Sequence, residues 1–139
     1  MYKIKIITVG KTKEAWLDEA MAEFLKRLKP TAEIEFHLAK DNAQLEAWVK
    51  KEPGVICLDP KGKLMDSEEF SKFLLECLQK GGSRLTFVIG GPEGLPESLK
   101  KSPLVSFSPM TFTHQMARLI LIEQIYRAFE IAKGTRYHK

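Results

Sequence analysis

The hydrophobic pattern switches repeatedly between period two and helical spacing, and the switches divide the chain into alternating strands and helices. Tyr2 to Val9 alternates and ends at Gly10, which predicts a first strand. Lys11 to Leu28 predicts a helix with Trp16, Leu17, Ala20, Phe24 and Leu28 on its buried side, closed by Pro30. Ile34 to Leu38 reads as a second strand, and about Asn42 to Lys51 as a second helix carrying Leu45, Trp48 and Val49. Pro53-Gly54 introduces a third strand, Val55 to Leu58, and Asp59-Pro60-Lys61-Gly62 reads as the turn after it. Ser67 is placed to cap a third helix in which Phe70, Phe73, Leu74 and Leu78 recur at helical spacing until Gly81-Gly82.

Leu85 to Ile89 is a short β-branched and aromatic run stopped by Gly90-Gly91, the pattern of a buried parallel strand entering a turn. A short helix near Glu97 to Lys101 and a fifth strand, Leu104 to Phe107, lead into the last helix. That helix spans about Thr113 to Lys133, with Thr113 as its cap and Gly134 as its stop. Alternating strands and helices imply a parallel α/β sheet covered on both faces. With 139 residues and no linker or repeat, residues 1–139 make one domain.

The last helix is the most apolar element. Glu123, Arg127 and Glu130 share one narrow wedge, and apolar residues cover most of the remaining circumference. A helix of this kind is buried on several sides. In a chain this small one face is expected to meet a second subunit, so a homodimer built on this helix is predicted. Arg118 and Gln115 fall within the apolar surround, and a guanidinium there needs a partner or a polar site to face. A buried ion pair with an upstream carboxylate and an arginine aimed at an anionic or nucleotide substrate are both open.

Composition narrows the class without choosing a function. A net charge of +4 suits an RNA partner but does not require one. Cys57 and Cys77 give neither a metal pattern nor a disulfide framework, which points to a reducing cytoplasm and no metal. The N-terminus is unlike a signal peptide, and no run approaches membrane-spanning length.

In open α/β sheets ligands bind outside the carboxyl ends of strands, where glycines permit close approach. Gly90, Gly91 and Gly94 form neither a phosphate loop nor the dinucleotide fingerprint, which disfavours a nicotinamide oxidoreductase. On local pattern alone a plain strand-to-helix turn is the preferred account of them. Asp59 suits a ribose hydroxyl, although starting its turn is the preferred account, and Glu93 suits a cationic group, a proton or solvent. His114 opens the last helix, where an imidazole is pushed toward its neutral, accepting form. Arg136, Tyr137, His138 and Lys139 form a basic, aromatic tail of a kind that stacks on bases and meets phosphates, although chain ends are often inert. Lys3, Lys5, Lys11 and Lys13 are candidate phosphate contacts.

GGPEGL after an apolar strand, FSPMTFTHQMARLILIEQIYRAF and the terminal GTRYHK resemble the RlmH family across essentially the whole chain, including the LDPKGK segment. These are small SPOUT-class methyltransferases that modify a pseudouridine of bacterial 23S ribosomal RNA. The resemblance implies an α/β knot fold, with a C-terminal trefoil knot and S-adenosylmethionine bound in the knotted loops of a dimer. It implies cofactor contacts at Leu58, Gly90 and the loop Phe107, Ser108, Pro109, Met110, Thr111 and Phe112. Thr113 precedes His114 where related members often carry proline. Arg118, His114, Tyr137 and His138 are the residues expected to hold the flipped base and help remove the proton on N3. The expected substrate is 23S rRNA within the folded ribosome. A non-catalytic ribosome-associated RNA-binding protein is the alternative, which the intact glycine turn and hydroxyl-rich loop count against.

Overall fold

The alternating amino terminus forms β1 (Tyr2–Val9), and the later apolar runs pair around it into a single parallel sheet. The computed structural model, which describes residues 1–139, adds β2 (Ala32–Ala39), β3 (Ile56–Leu64), β4 (Arg84–Ile89) and β5 (Leu104–Ser106). The strand order is β2-β1-β4-β3-β5, and all neighbours run parallel. Four helices connect them: α1 (Ala15–Leu28), α2 (Asn42–Val49), α3 (Ser67–Lys80) and α4 (His114–Lys133). A 3-10 turn spans Glu97–Leu99. The expected parallel α/β class holds. No helix is long and apolar enough to cross a membrane.

The alternation of β1 explains how both faces are covered. Ile4 and Ile6 point into the larger core, with Leu17, Phe70, Leu121, Ile125 and Phe129 from α1, α3 and α4. Ile7 points the other way, toward Leu45 and Val49 of α2 and Leu95 and Leu99 beyond β4. The first cluster holds 19 buried residues and the second 9, so most of the apolar burial lies under the three long helices.

Four expectations need adjusting. Helix α1 starts at Ala15 rather than Lys11, because residues 11–13 are drawn toward α4 by Gln115 and Arg118. Its buried stripe is Leu17, Met21 and Leu28, and Trp16, one position off that stripe, is 56% exposed rather than inside. Asp66, not Ser67, caps α3: its carboxylate accepts from the Glu69 N–H while Glu69 accepts from the Asp66 N–H, a reciprocal capping box. The hydroxyl of Ser67 instead donates to Gln124 Oε1 at 2.8 Å, joining α3 to α4.

The fourth adjustment concerns Asp59 to Gly62. Val105 pairs with both Leu58 and Lys63, so these four residues bulge out between two paired stretches and β3 resumes to Leu64. Gly62 permits this, because a Cβ there would lie 2.6 Å from the Leu104 carbonyl carbon. The opening of the bulge is held by the Lys61 N–H donating to Asp59 Oδ1 at 2.8 Å.

Removing the Asp66 carboxylate takes away the acceptor for the Glu69 N–H and leaves only the Glu69 half of the box. Asp66→Ala is expected to cost about 1 kcal/mol in urea unfolding with the slope unchanged.

Candidate active site at the strand ends

The loops leaving the carboxyl ends of β1, β3, β4 and β5 converge around one cleft of about 780 Å³, a volume suited to a small ligand. Leu58, Ile89, Leu95, Phe107, Met116 and Ile120 give it apolar walls. Its charged lining residues are Lys13, Glu14 and Asp59. One cation against two carboxylates makes a poor seat for a pyrophosphate and a good one for an uncharged nucleoside or a cationic group.

The glycine turn is built against itself. A Cβ on Gly90 would sit 2.6 Å from the Gly94 carbonyl carbon, so the close approach there is the chain's own backbone. Gly94 takes φ +82°, and its N–H donates to the Gly91 carbonyl at 2.9 Å. Glu93 lies exposed at the tip of this turn and does not line the cleft.

The loop from β5 to α4 is wound by its own hydroxyls. Ser106 Oγ donates to the Ser108 carbonyl at 2.8 Å, and Ser108 Oγ accepts from the Met110 N–H at 3.0 Å. Thr113 Oγ1 accepts from the Met116 N–H at 3.1 Å and caps α4 as the pattern predicts. Of the expected cofactor positions, Leu58, Gly90, Phe107, Ser108, Met110, Thr111 and Phe112 line the cleft, and Pro109 does not. Trp16 is the residue the pattern missed: it reads as core but stands at the cleft wall.

His114 lines the cleft at the first turn of α4. Burial, then the charges of Arg118 and Lys13, hold its pKa below the ordinary imidazole value, so it is neutral near pH 7. Gln115 Oε1 accepts from the Lys13 N–H at 3.1 Å, which orients its amide nitrogen toward the Lys11 carbonyl and His114 Nε2, at 3.0 and 3.2 Å. The Nε2 of His114 therefore accepts, and its ring proton sits on Nδ1.

Arg118 fits neither expected role. It is fully buried and does not line the cleft, and its partners include no carboxylate. Nη2 donates to the carbonyls of Val9 and Gly10, both at 2.7 Å, and Nη1 donates to Thr12 Oγ1 at 3.1 Å. It ties α4 to the end of β1. Lys5 is engaged by Glu52 at 2.9 Å, and with Lys3 it borders a separate groove that includes the first residues of β4. Of the four candidate lysines, only Lys13 reaches the cleft.

The tail is ordered against its own helix. Tyr137 Oη donates to Glu123 Oε2 at 2.7 Å, and Arg127 Nη1 lies 3.1 Å from His138 Nδ1. Burial, then the bond to Glu123, pushes the Tyr137 phenol up to about 12, so it remains a donor. These contacts lie some 9 to 13 residues along α4 from His114, roughly 14 to 20 Å away. Within one chain, Tyr137 and His138 are apart from the cleft.

The family model described as "Predicted SPOUT methyltransferase" matches residues 2–138. The chain is 58% identical to the ribosomal RNA large subunit methyltransferase H of Protochlamydia amoebophila, over all of both chains. It is 47% identical to the protein of that name from Carboxydothermus hydrogenoformans and 44% to that from Halothermothrix orenii, each over 99% of both chains. The crystal structure of TrmJ from Z. mobilis ZM4 is a looser likeness, with TM-score 0.49 and 11% identity over all of this chain and 72% of that one.

Two substitutions separate framework from site. Arg118→Ala strands the Val9 and Gly10 carbonyls and is expected to cost about 2 kcal/mol in chemical denaturation. Gly90→Ala forces the turn apart and should weaken binding of S-adenosylhomocysteine at least tenfold, about 1.4 kcal/mol, in calorimetric titration.

Proposed function

This chain belongs to the SPOUT methyltransferase family, and we propose that it methylates N3 of a pseudouridine in 23S ribosomal RNA, using S-adenosylmethionine. We propose further that it acts in the cytoplasm, as a homodimer, on the assembled ribosome. The full-length relatives named ribosomal RNA large subunit methyltransferase H support the substrate class. The observation that carries the cofactor is the cleft, with its apolar walls, loop hydroxyls and slight acidic excess at the strand ends. That lining fits a nucleoside bearing a sulfonium and argues against a nicotinamide dinucleotide, which needs donors for a pyrophosphate.

When bound, S-adenosylmethionine supplies a methyl group on a sulfonium that is already a good leaving group. The work left to the protein is alignment and charge management. Leu58, Ile89, Leu95 and Phe107 would exclude water around the nucleoside, while Asp59, Ser108 and Thr111 are among the polar side chains that would meet its ribose and amino acid. The N3 proton passes to solvent water, and its loss leaves charge shared by two flanking carbonyl oxygens. Neutral His114 through Nδ1–H and Lys13 at the cleft are donors suited to that charge, while Tyr137, whose phenol proton lies on Glu123, would offer its ring to stack on the base. His114 thus serves as donor rather than as the expected acceptor, since Gln115 already occupies Nε2. Arg118 serves by holding the loop that carries Lys13.

Two observations favour a dimer with shared sites. Trp16, Met110 and Phe112 are exposed apolar side chains on the cleft lining, and Met116, Leu119 and Ile120 of α4 are only partly covered. The tail sits too far along α4 to serve its own cleft, so the cleft it serves is a partner's. The family's trefoil knot is carried over as part of the same proposal, supported by β5 wedging against Gly62 in the bulge of β3.

S-adenosylhomocysteine is expected to bind once per subunit and NADH not at all, and purified ribosomes to accept a labelled methyl group better than naked rRNA. Binding of neither ligand would favour the non-catalytic RNA-binding reading. Mixed dimers of a tail-truncated subunit and a Gly90→Ala subunit are expected to recover one working site, whereas the truncated homodimer stays inactive and the Gly90→Ala homodimer stays slow at subsaturating S-adenosylmethionine.

A further inference from the structure

The carboxyl-terminal tail is held by two residues of α4 whose placement exceeds what surface charge balance needs. Gly134 takes φ +72°, and the Thr135 N–H donates to the Glu130 carbonyl at 3.1 Å, so the chain reverses and runs back along α4. The reversal brings the Tyr137 ring edge-on to Tyr126, with centroids 4.7 Å apart. Glu123 Oε2 accepts both the Tyr137 phenol and Arg127 Nη2, at 2.7 and 2.8 Å.

Arg127 uses two edges and one face of its guanidinium. Its fork, Nε and Nη2, lies on the two Glu123 oxygens at 3.3 and 2.8 Å. Its face covers the Tyr137 ring, 4.8 Å from the centroid, and its remaining edge donates to His138 Nδ1. A lysine would reproduce the charge but not this planar, three-sided fit. On its far side, His138 Nε2 approaches Glu68 of α3 at 3.7 Å.

We propose that Glu123 and Arg127 are positioning residues for methyl transfer, forming a latch that fixes Tyr137 and His138 in the geometry they present to the substrate base. This rests on the reading, given above, that the tail serves a catalytic cleft. A free tail would lose conformational entropy each time it met the base, and the latch removes that loss before the substrate arrives. It acts through the tail alone, because neither Glu123 nor Arg127 lines the cleft.

The test is a double-mutant cycle on whole ribosomes, with Glu123→Ala, Arg127→Ala and Arg127→Lys in the full chain and in a chain ending at Thr135. In the full chain each Ala variant is expected to lower kcat by about 10- to 100-fold, the scale of a small misplacement, with S-adenosylhomocysteine affinity unchanged. Trypsin should release the residues after Arg136 faster in these variants. Arg127→Lys should fail to rescue, whereas Glu123→Gln, which keeps an acceptor for the phenol, should restore most of the activity even if an Ala variant folds poorly. In the truncated chain, itself inactive, the same substitutions should leave S-adenosylhomocysteine affinity unchanged. Full activity in the latch variants, alongside a dead truncated chain, overturns the latch and leaves the tail's role standing. Full activity in the truncated chain removes the tail from the reaction, and the latch with it.

Discussion

The buried guanidinium of Arg118 is the contact on which the arrangement of the site depends. It sits where water cannot reach and has no carboxylate partner, so its charge is met by oxygens at the end of β1. Its Nε is buried without a partner, so the cation depends on the bonds from its two Nη atoms, and any slippage leaves further donors and acceptors unpaired together. The end of β1 is thereby locked to the first turns of α4. Gln115 repeats the tie three residues earlier, through the backbone of Lys11 and Lys13.

From that lock the rest of the cleft follows. Thr113 caps α4 and fixes where the β5 loop ends, so the hydroxyl-wound segment from Ser106 to Met110 forms one wall. The opposite wall is the glycine turn, whose shape comes from Gly90 lying against Gly94. His114 stands between these walls, kept neutral by the burial and charge that the lock creates. The same helix carries the tail contacts near its other end. One element therefore carries the cleft residue His114 at its amino end and the tail contacts of Glu123 and Arg127 farther along.

Much of the fold was legible in the sequence because it depends on local spacing. The alternation in β1, the Thr113 cap and the Gly134 stop all appear where the pattern put them. The Glu123–Arg127 pair forms at the expected i,i+4 separation. Errors occurred where a single position or a distant contact decided the outcome. Trp16 lies one residue from the buried stripe of α1, and a helix turns about 100° per residue, so it falls outside. Asp66 and Ser67 are both good caps, and only the reciprocal bond with Glu69 chooses between them.

The sequence by itself determined the element order and the parallel α/β class, because hydrophobic period and turn chemistry are properties of neighbouring residues, whereas the segments expected at the cleft came from the family resemblance. The tertiary structure alone decided which polar side chains face the cleft. Arg118 and His114 are one helical turn apart and look alike as candidates, yet one faces backbone and the other faces the cavity. The direction of a buried polar group is set by acceptors brought from about a hundred residues away, and no local pattern encodes where those acceptors will be.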